Sequence, residues 1–429
     1  MTSETIAPQT TAPQTTTESH DDLAVTGIAT TTHFFGHNAF EAAARSAIGK
    51  AAIGTSDIGL VFAVLERITD GDFQSWYTEW KSTADELRSQ AEASRAAGRN
   101  RTAGRFFLAA SDYYNRSIFF IDGLEDQSAL LPTFRLGQEC WDGFVATSEG
   151  RFLPLAVPYE GDSMPGYLLR PDASGAARPT LVITNGSDGS LAGLWAEGIS
   201  SQLERGWNVF VFDGPGQQSM LFERDVPFRY DWEAALTPVV DLLVARNDVR
   251  TDALFAYGVS QGGYWLPRGL AFEHRFVAAF VDGGVMDVAA SWYSNLPPEL
   301  LAFLKSGDRD LFNKYMSMGE PDPIIERELA FRARPYGKFD SPYDLFVAVG
   351  KFRLDDVVGR VTTPTMVADP DNEQFFEGQS RQVFDALRCE KVLARFTAAE
   401  GANHHCQPLA RELTALRMND FFDRYLPAS

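Results

Sequence analysis

Cysteine is scarce: three residues in 429, at Cys140, Cys389 and Cys406, too scattered to form a disulfide framework or a zinc site. They fit a reducing compartment. Basic residues are also in short supply, with 38 Lys and Arg against 58 Asp and Glu and a formal net charge of −20. A surface that acidic repels phosphate backbones and anionic headgroups, which sets nucleic acid and membrane surfaces aside as partners. No Lys or Arg precedes Arg45, so a basic n-region is missing, and no apolar stretch follows that would serve as an h-region. No run approaches the roughly 18 apolar residues of a membrane helix. Together these absences predict an unexported, cytoplasmic protein without a bound metal.

What is present is ample apolar material, 45% hydrophobic and 12% aromatic residues. That suits one large catalytic domain and a second module, at about 100–200 residues per domain. The opening near-repeat of Ala-Pro-Gln-Thr-Thr has almost nothing to bury, which predicts a disordered tail over residues 1–25. Residues 26–140 read as a helical module. Leu60, Val64 and Ile68, then Trp76, Trp80 and Leu87, recur at three- and four-residue spacing. The aromatic stripe from Phe106 to Phe120 is expected to be core, because packing accounts for most helical periodicity of this kind.

Residues 141–429 change texture. Phe152–Pro158 and Pro165–Leu169 read as paired strands at a sheet edge. Short apolar runs then alternate with helical stretches: 180–184, 208–212, 253–257, 276–281, 364–368 and 392–396. This alternation predicts an α/β fold, a mostly parallel buried sheet flanked by helices. An insertion at about 287–358, rich in Pro, Phe and Tyr, interrupts it and has the length of a cap over a site.

The segment Tyr257-Gly258-Val259-Ser260-Gln261-Gly262-Gly263 follows one such strand and precedes a helix-compatible stretch. It holds G-x-S-x-G, whose glycines allow a strained strand-to-helix turn to present a serine. Ser260 is therefore the expected nucleophile of an α/β-hydrolase fold. A serine hydroxyl needs a base to take its proton, and in this fold acid and then histidine follow the serine along the chain. His274 lies too close to the elbow helix to swing back, which leaves His404 and His405 beyond the last strand. His-His-Cys in direct succession is a poor metal site, since adjacent residues rarely converge on one ion. The acid is expected among Asp369, Asp371 and Glu373. In this fold it commonly lies about nine residues beyond the proline that opens its strand, which from Pro364 is Glu373, with Asp371 second and Asp369 third. An oxyanion hole needs two preorganised N–H donors. Gln261, directly after the nucleophile, is the first, and Ser187, in the loop after the 180–184 strand, is the second.

The elbow, together with Phe212-Asp213-Gly214-Pro215-Gly216-Gln217 and the closing His405-Cys406, resembles a group of α/β hydrolases. That group includes 2,6-dihydroxypseudooxynicotine hydrolase and fungal polyketide chain-shortening hydrolases. The resemblance spans roughly residues 40–427. It implies no metal or organic cofactor, a site between the helical module and the core, and in several members cleavage of a carbon–carbon bond beside a carbonyl. It favours His405, before Cys406, over His404 as the base, and gives Asp213 a role in shaping its turn. In the group a carboxylate after the sixth strand can face the substrate, and Asp282 and Asp287 stand there, with Asp287 the expected substrate-binding residue.

The expected activity is hydrolysis of a β-diketone, an acylated aromatic or polyketide, or an ester. The expected partners are an apolar or aromatic carbonyl compound and a second copy of the chain. The alternative is an acyltransferase, cyclase or eliminating enzyme that keeps water from the acyl-enzyme. A ligand-binding protein reusing the fold would have no need of a complete triad.

Overall fold

The computed structural model describes residues 33–318 and 323–427. The tail expected over 1–25 lies outside them. Helix α1 (Asn38–Ala52) starts where the His37 side chain accepts from the Phe40 N–H, and α3 (Phe73–Ala96) where Asp72 accepts from the Ser75 N–H, each satisfying an orphan donor of the first turn. With α2 (Ile58–Leu65), α4 (Asn100–Ser117) and α5 (Leu130–Ala146) they form a helical layer. Trp76, Trp80, Ala84, Leu87 and Ala91 recur along one face of α3 and are all buried. Trp76 lies 4.7 Å from Phe40 and 4.9 Å from Phe120, and Trp80 meets Tyr113 edge-on at 4.8 Å. Such aromatic pairs add about 0.5–1.5 kcal/mol each beyond area burial. The aromatic stripe is core, as its spacing suggests, with Phe107, Tyr113, Tyr114 and Phe120 all buried.

Eight strands form one sheet: β1 (Phe152–Tyr159), β2 (Asp162–Leu169), β3 (Arg178–Thr184), β4 (Asn208–Phe212), β5 (Val249–Val259), β6 (Ala278–Asp282), β7 (Thr365–Pro370) and β8 (Lys391–Phe396). Their order is β1-β2-β4-β3-β5-β6-β7-β8, and β2 alone runs against the rest. The expected mostly parallel sheet with a paired edge is what forms. From β3 the chain turns outward to β4 and then crosses back to β5, so a crevice opens where the carboxyl ends of β3 and β5 diverge.

Side chains alternate across this sheet. Leu181, Ile183, Val209, Val211, Phe255 and Tyr257 share one apolar cluster with α1–α5. Val182, Phe210, Leu254 and Ala256 pack on the other face with α6 (Glu233–Val244) and α7 (Gly262–Leu270). The helical layer thus shares a continuous core with the sheet. Trp141 of α5 meets Tyr167 edge-on at 5.5 Å, and Phe144 lies 5.3 Å from Phe152.

Between β6 and β7 stand α8 (Pro298–Ser306), α9 (Arg309–Met316), α10 (Pro323–Ala333) and α11 (Pro342–Val349). They reach the helical layer through an Arg334–Asp122 ion pair and through Arg327, whose guanidinium lies 5.0 Å from the Phe73 ring and 5.3 Å from Phe120. Helix α12 (Gln379–Ala386) follows β7, and α13 (Arg411–Phe422) closes the described chain. Among the described residues no helix is long and apolar enough to cross a membrane.

Candidate active site

The turn from β5 into α7 holds Ser260 at φ +56°, a left-handed conformation that side chains rarely adopt. Positions 258, 262 and 263 around it must be glycines. A Cβ on Gly258 would lie 2.5 Å from the Gly262 carbonyl oxygen, one on Gly262 would lie 2.6 Å from that of Thr184, and one on Gly263 only 1.8 Å from that of Gly283. The Ser260 N–H donates to the Asp282 carbonyl at 3.0 Å, and the Ser260 carbonyl accepts from Gly263 at 2.7 Å. Strain of this order, about 1–3 kcal/mol, persists where surrounding structure over-determines it.

Beyond β8 the chain turns back over the sheet edge and brings His405 to the serine. Its Nε2 lies 2.8 Å from Ser260 Oγ, and its Nδ1 lies 2.8 Å from Glu373 Oε2. The His405 N–H donates to Gln374 Oε1 at 2.9 Å, tying the histidine loop to the acid loop. Glu373 Oε1 accepts from the N–H groups of Phe375 at 2.9 Å and Phe376 at 3.2 Å. Burial works against ionisation of Glu373, but the charge and hydrogen bond of His405 and these two N–H donors hold its carboxyl below the usual range. Burial also opposes the imidazolium, yet Cys406 and Glu373 outweigh it and raise His405 well above the ordinary imidazole value. Burial pushes the Cys406 thiol up to about 11, so it is uncharged at neutral pH and the carboxylate is the partner that counts.

The other candidates do not join this line. Asp369 pairs with Arg381 at 2.6 Å and Asp371 with Arg395 at 2.7 Å. His404 turns its Nδ1 toward the side-chain amides of Asn372 and Gln374. Asp287 pairs with Arg353 at 2.7 Å and accepts from the Ala289 N–H at 2.9 Å. Asp282 is fully buried among Tyr257, Gln407 and Arg411.

In the loop after β3, Gly186 is the residue that abuts Ser260. A Cβ there would fall 2.9 Å from Ser260 Cβ, but its N–H is engaged by Asn185 Oδ1 at 2.8 Å. The N–H groups of Ser187 and Gln261 have no partner among the described residues. Gln217, from the Asp213–Gln217 string, reaches across and donates through Nε2 to the carbonyls of Asn185 at 2.9 Å and Gly186 at 3.1 Å. That string therefore braces the loop beside Ser260. Asp213 shapes the turn, accepting from Ser219 N at 3.2 Å and Ser219 Oγ at 2.6 Å.

Phe375 escaped the sequence reading. Its ring meets His405 edge-on at 4.9 Å while 45% of the residue stays exposed. A large apolar side chain left open beside an imidazole suits contact with a ligand, and its place two residues after Glu373 was the available clue.

No family model matches the chain. It is 27% identical over 362 residues to a protein named Hydrolase LUC6 from a Fusarium species, covering 79% of this chain and 84% of that one. It is 27% identical over 258 residues to the 20-hydroxy-prefusarin hydrolase FUS2 of Gibberella moniliformis, covering 58% of this chain and 61% of that protein. Among solved structures, the 2,6-dihydroxy-pseudo-oxynicotine hydrolase superposes with a TM-score of 0.67 at 19% identity, over 88% of this chain and 95% of that chain.

Proposed function

Taking the chain as an α/β hydrolase similar to these enzymes, we propose that it attacks a carbonyl substrate with a Ser260–His405–Glu373 triad. The bond cleaved is a carbon–carbon bond beside the carbonyl, or an ester. The observation that carries this reading is the line from Ser260 Oγ through the His405 ring to Glu373, with both contacts at 2.8 Å. Ser260 Oγ bonds to the carbonyl carbon as His405 Nε2 takes its proton, and Glu373 holds the ring and stabilises the imidazolium. The N–H groups of Gln261 and Ser187 receive the oxyanion. His405 then protonates the leaving group, an alkoxide or a carbanion delocalised over a neighbouring carbonyl or phenol ring. Water, activated by the same histidine, releases the acid and restores the serine. Exposed Phe375 beside His405 supports an apolar or aromatic substrate.

A fluorophosphonate tests the nucleophile directly, because Ser260 Oγ would bond to phosphorus as fluoride leaves. Intact mass should show one adduct on the wild type, none on Ser260→Ala and strongly slowed labelling on His405→Ala. A folded, unlabelled wild type would overturn the triad. Hydrolysis of 1,3-diketones and aryl esters in ¹⁸O-water then reads the bond and the acceptor. Failure to incorporate ¹⁸O would move the reading to a transferase, cyclase or eliminating enzyme.

A further inference from the structure

Beneath the proposed triad lies a buried charge cluster that the reaction does not use. The Arg411 side chain is 2% exposed and Asp282 0%. Arg411 Nη1 lies 3.2 Å from Asp282 Oδ2 and also donates to the Cys406 carbonyl. Its Nη2 lies 2.6 Å from Glu197 Oε2 and donates to the Tyr257 hydroxyl at 2.8 Å. Asp282 accepts from Tyr257 Oη at 2.9 Å and from Gln407 Nε2 at 3.0 Å. Glu197 is paired in turn with Lys50 of α1 at 3.5 Å. Two cations and two carboxylates thus form a neutral set running from the helical layer to the floor of the site.

Two parts of this geometry, the elbow at Ser260 and the turn after His405, end on this set. The Asp282 carbonyl receives the Ser260 N–H at 3.0 Å and the Cys406 thiol at 3.6 Å. Cys406 and Gln407, directly after His405, sit at φ +53° and +39°, conformations that unconstrained residues avoid. Both are tied to Asp282 or Arg411 on their inner side, and Thr414 Oγ1 donates to Gln407 Oε1 at 2.9 Å. A loop strained at two consecutive residues springs to a relaxed form unless something holds it, and a shift of about 1 Å in a reacting group can cost on the order of 10²-fold in rate.

We infer that Asp282 and Arg411 are positioning residues: they clamp the Cys406–Gln407 turn against the nucleophile elbow and so set the distance from His405 to Ser260. Asp282, at the end of the sixth strand, serves the reaction from behind the triad and does not face the substrate. This rests on the triad reading, and the test separates the two.

The full-length chain is labelled with a fluorophosphonate at 15 °C, and the maximal labelling rate and half-saturating probe concentration are fitted separately for folded protein. Asp282→Asn is expected to lower the maximal rate about 30-fold or more and leave half-saturation within about twofold. Because that change leaves Arg411 poorly compensated, Gln407→Met is the gentler variant. It keeps the ion pair and the Arg411 bond to the Cys406 carbonyl, removes the Gln407 bonds to Asp282 and Thr414, and is expected to lower the maximal rate about tenfold. A structural role alone would lower the melting temperature and leave the rate of the folded protein as in wild type. Wild-type rates in folded Gln407→Met, or in folded Asp282→Asn, overturn the inference. If Asp282→Asn does not fold, Gln407→Met decides. An unlabelled wild type sinks the triad instead.

Discussion

Gly283 faces the His405 ring so closely that a Cβ on it would stand 3.3 Å from the imidazole Cε1. It also holds φ +84°, so alanine there is strained in backbone and crowds the ring. Gly283→Ala is expected to cost about 1–2 kcal/mol of stability, from the left-handed conformation. It should also slow fluorophosphonate labelling about tenfold or more by tilting the imidazole. Urea denaturation and labelling of the folded protein read the two effects separately. Unchanged labelling would mean that the ring has room to move.

The fold was legible in the sequence because its strands are continuous apolar runs buried on both faces, such as Val209–Phe212, and because Gly258, Gly262 and Gly263 announce a turn no other residue tolerates. Of the three neighbouring acids, Glu373, reached by counting from Pro364, is the one beside His405, while Asp369 and Asp371 each find an arginine. What lay beyond reach was long-range pairing. Asp282 stands at the end of β6, where a substrate-facing acid belongs, yet it is claimed by Arg411, 129 residues away, and no local pattern announces that partner. Asp287 pairs with Arg353, another contact that no local pattern announces. Gly186 gives no local signal for a similar reason, since its need to be side-chain-free exists only once Ser260 is packed against it.

The raised His405 value gives the pH profile its sign. As a base the imidazole must be neutral, so the labelling rate should climb with pH and reach half its maximum above the ordinary imidazole value of about 6.5. Glu373→Gln removes the carboxylate that favours the imidazolium. Its midpoint should fall, and its maximal rate should drop about 10³-fold as the ring loses its orientation. Asp371→Asn, which loses only the exposed pair with Arg395, should match wild type in both respects. A normal profile in Glu373→Gln would return the acid's role to another carboxylate.

Phe375 offers the clearest handle on substrate binding. Its ring lies edge-on to His405 with 45% of the residue exposed, so truncation removes little core. Phe375→Ala should raise KM for aryl esters about three- to tenfold, the equivalent of about 1 kcal/mol of lost apolar contact, with the melting temperature nearly unchanged. Acetyl esters of small alkyl alcohols should be affected less. An equal loss for both would place the ring's contribution on the imidazole and not on the substrate.

Asp213 carries a stability signature of its own. Burial raises its carboxyl from 3.8 to about 6, against hydrogen bonds from the Ser219 hydroxyl and N–H that pull the other way. A raised acid value means that the folded chain holds this proton more tightly than the unfolded chain does. The group is neutral in both states below pH 4. Between about pH 4 and pH 6 the unfolded state loses its proton first, and stability declines as pH rises. The decline levels off above about pH 6, at a total on the order of 2–3 kcal/mol. Asp213→Asn keeps an acceptor for Ser219 and has no proton to lose. Relative to wild type, the variant should therefore gain stability between pH 4 and pH 7, by up to that amount, in paired urea titrations at each pH. A constant difference across the range would mean that Asp213 titrates alike in both states. The carboxylate would then be tolerated in the turn that braces the loop beside Ser260.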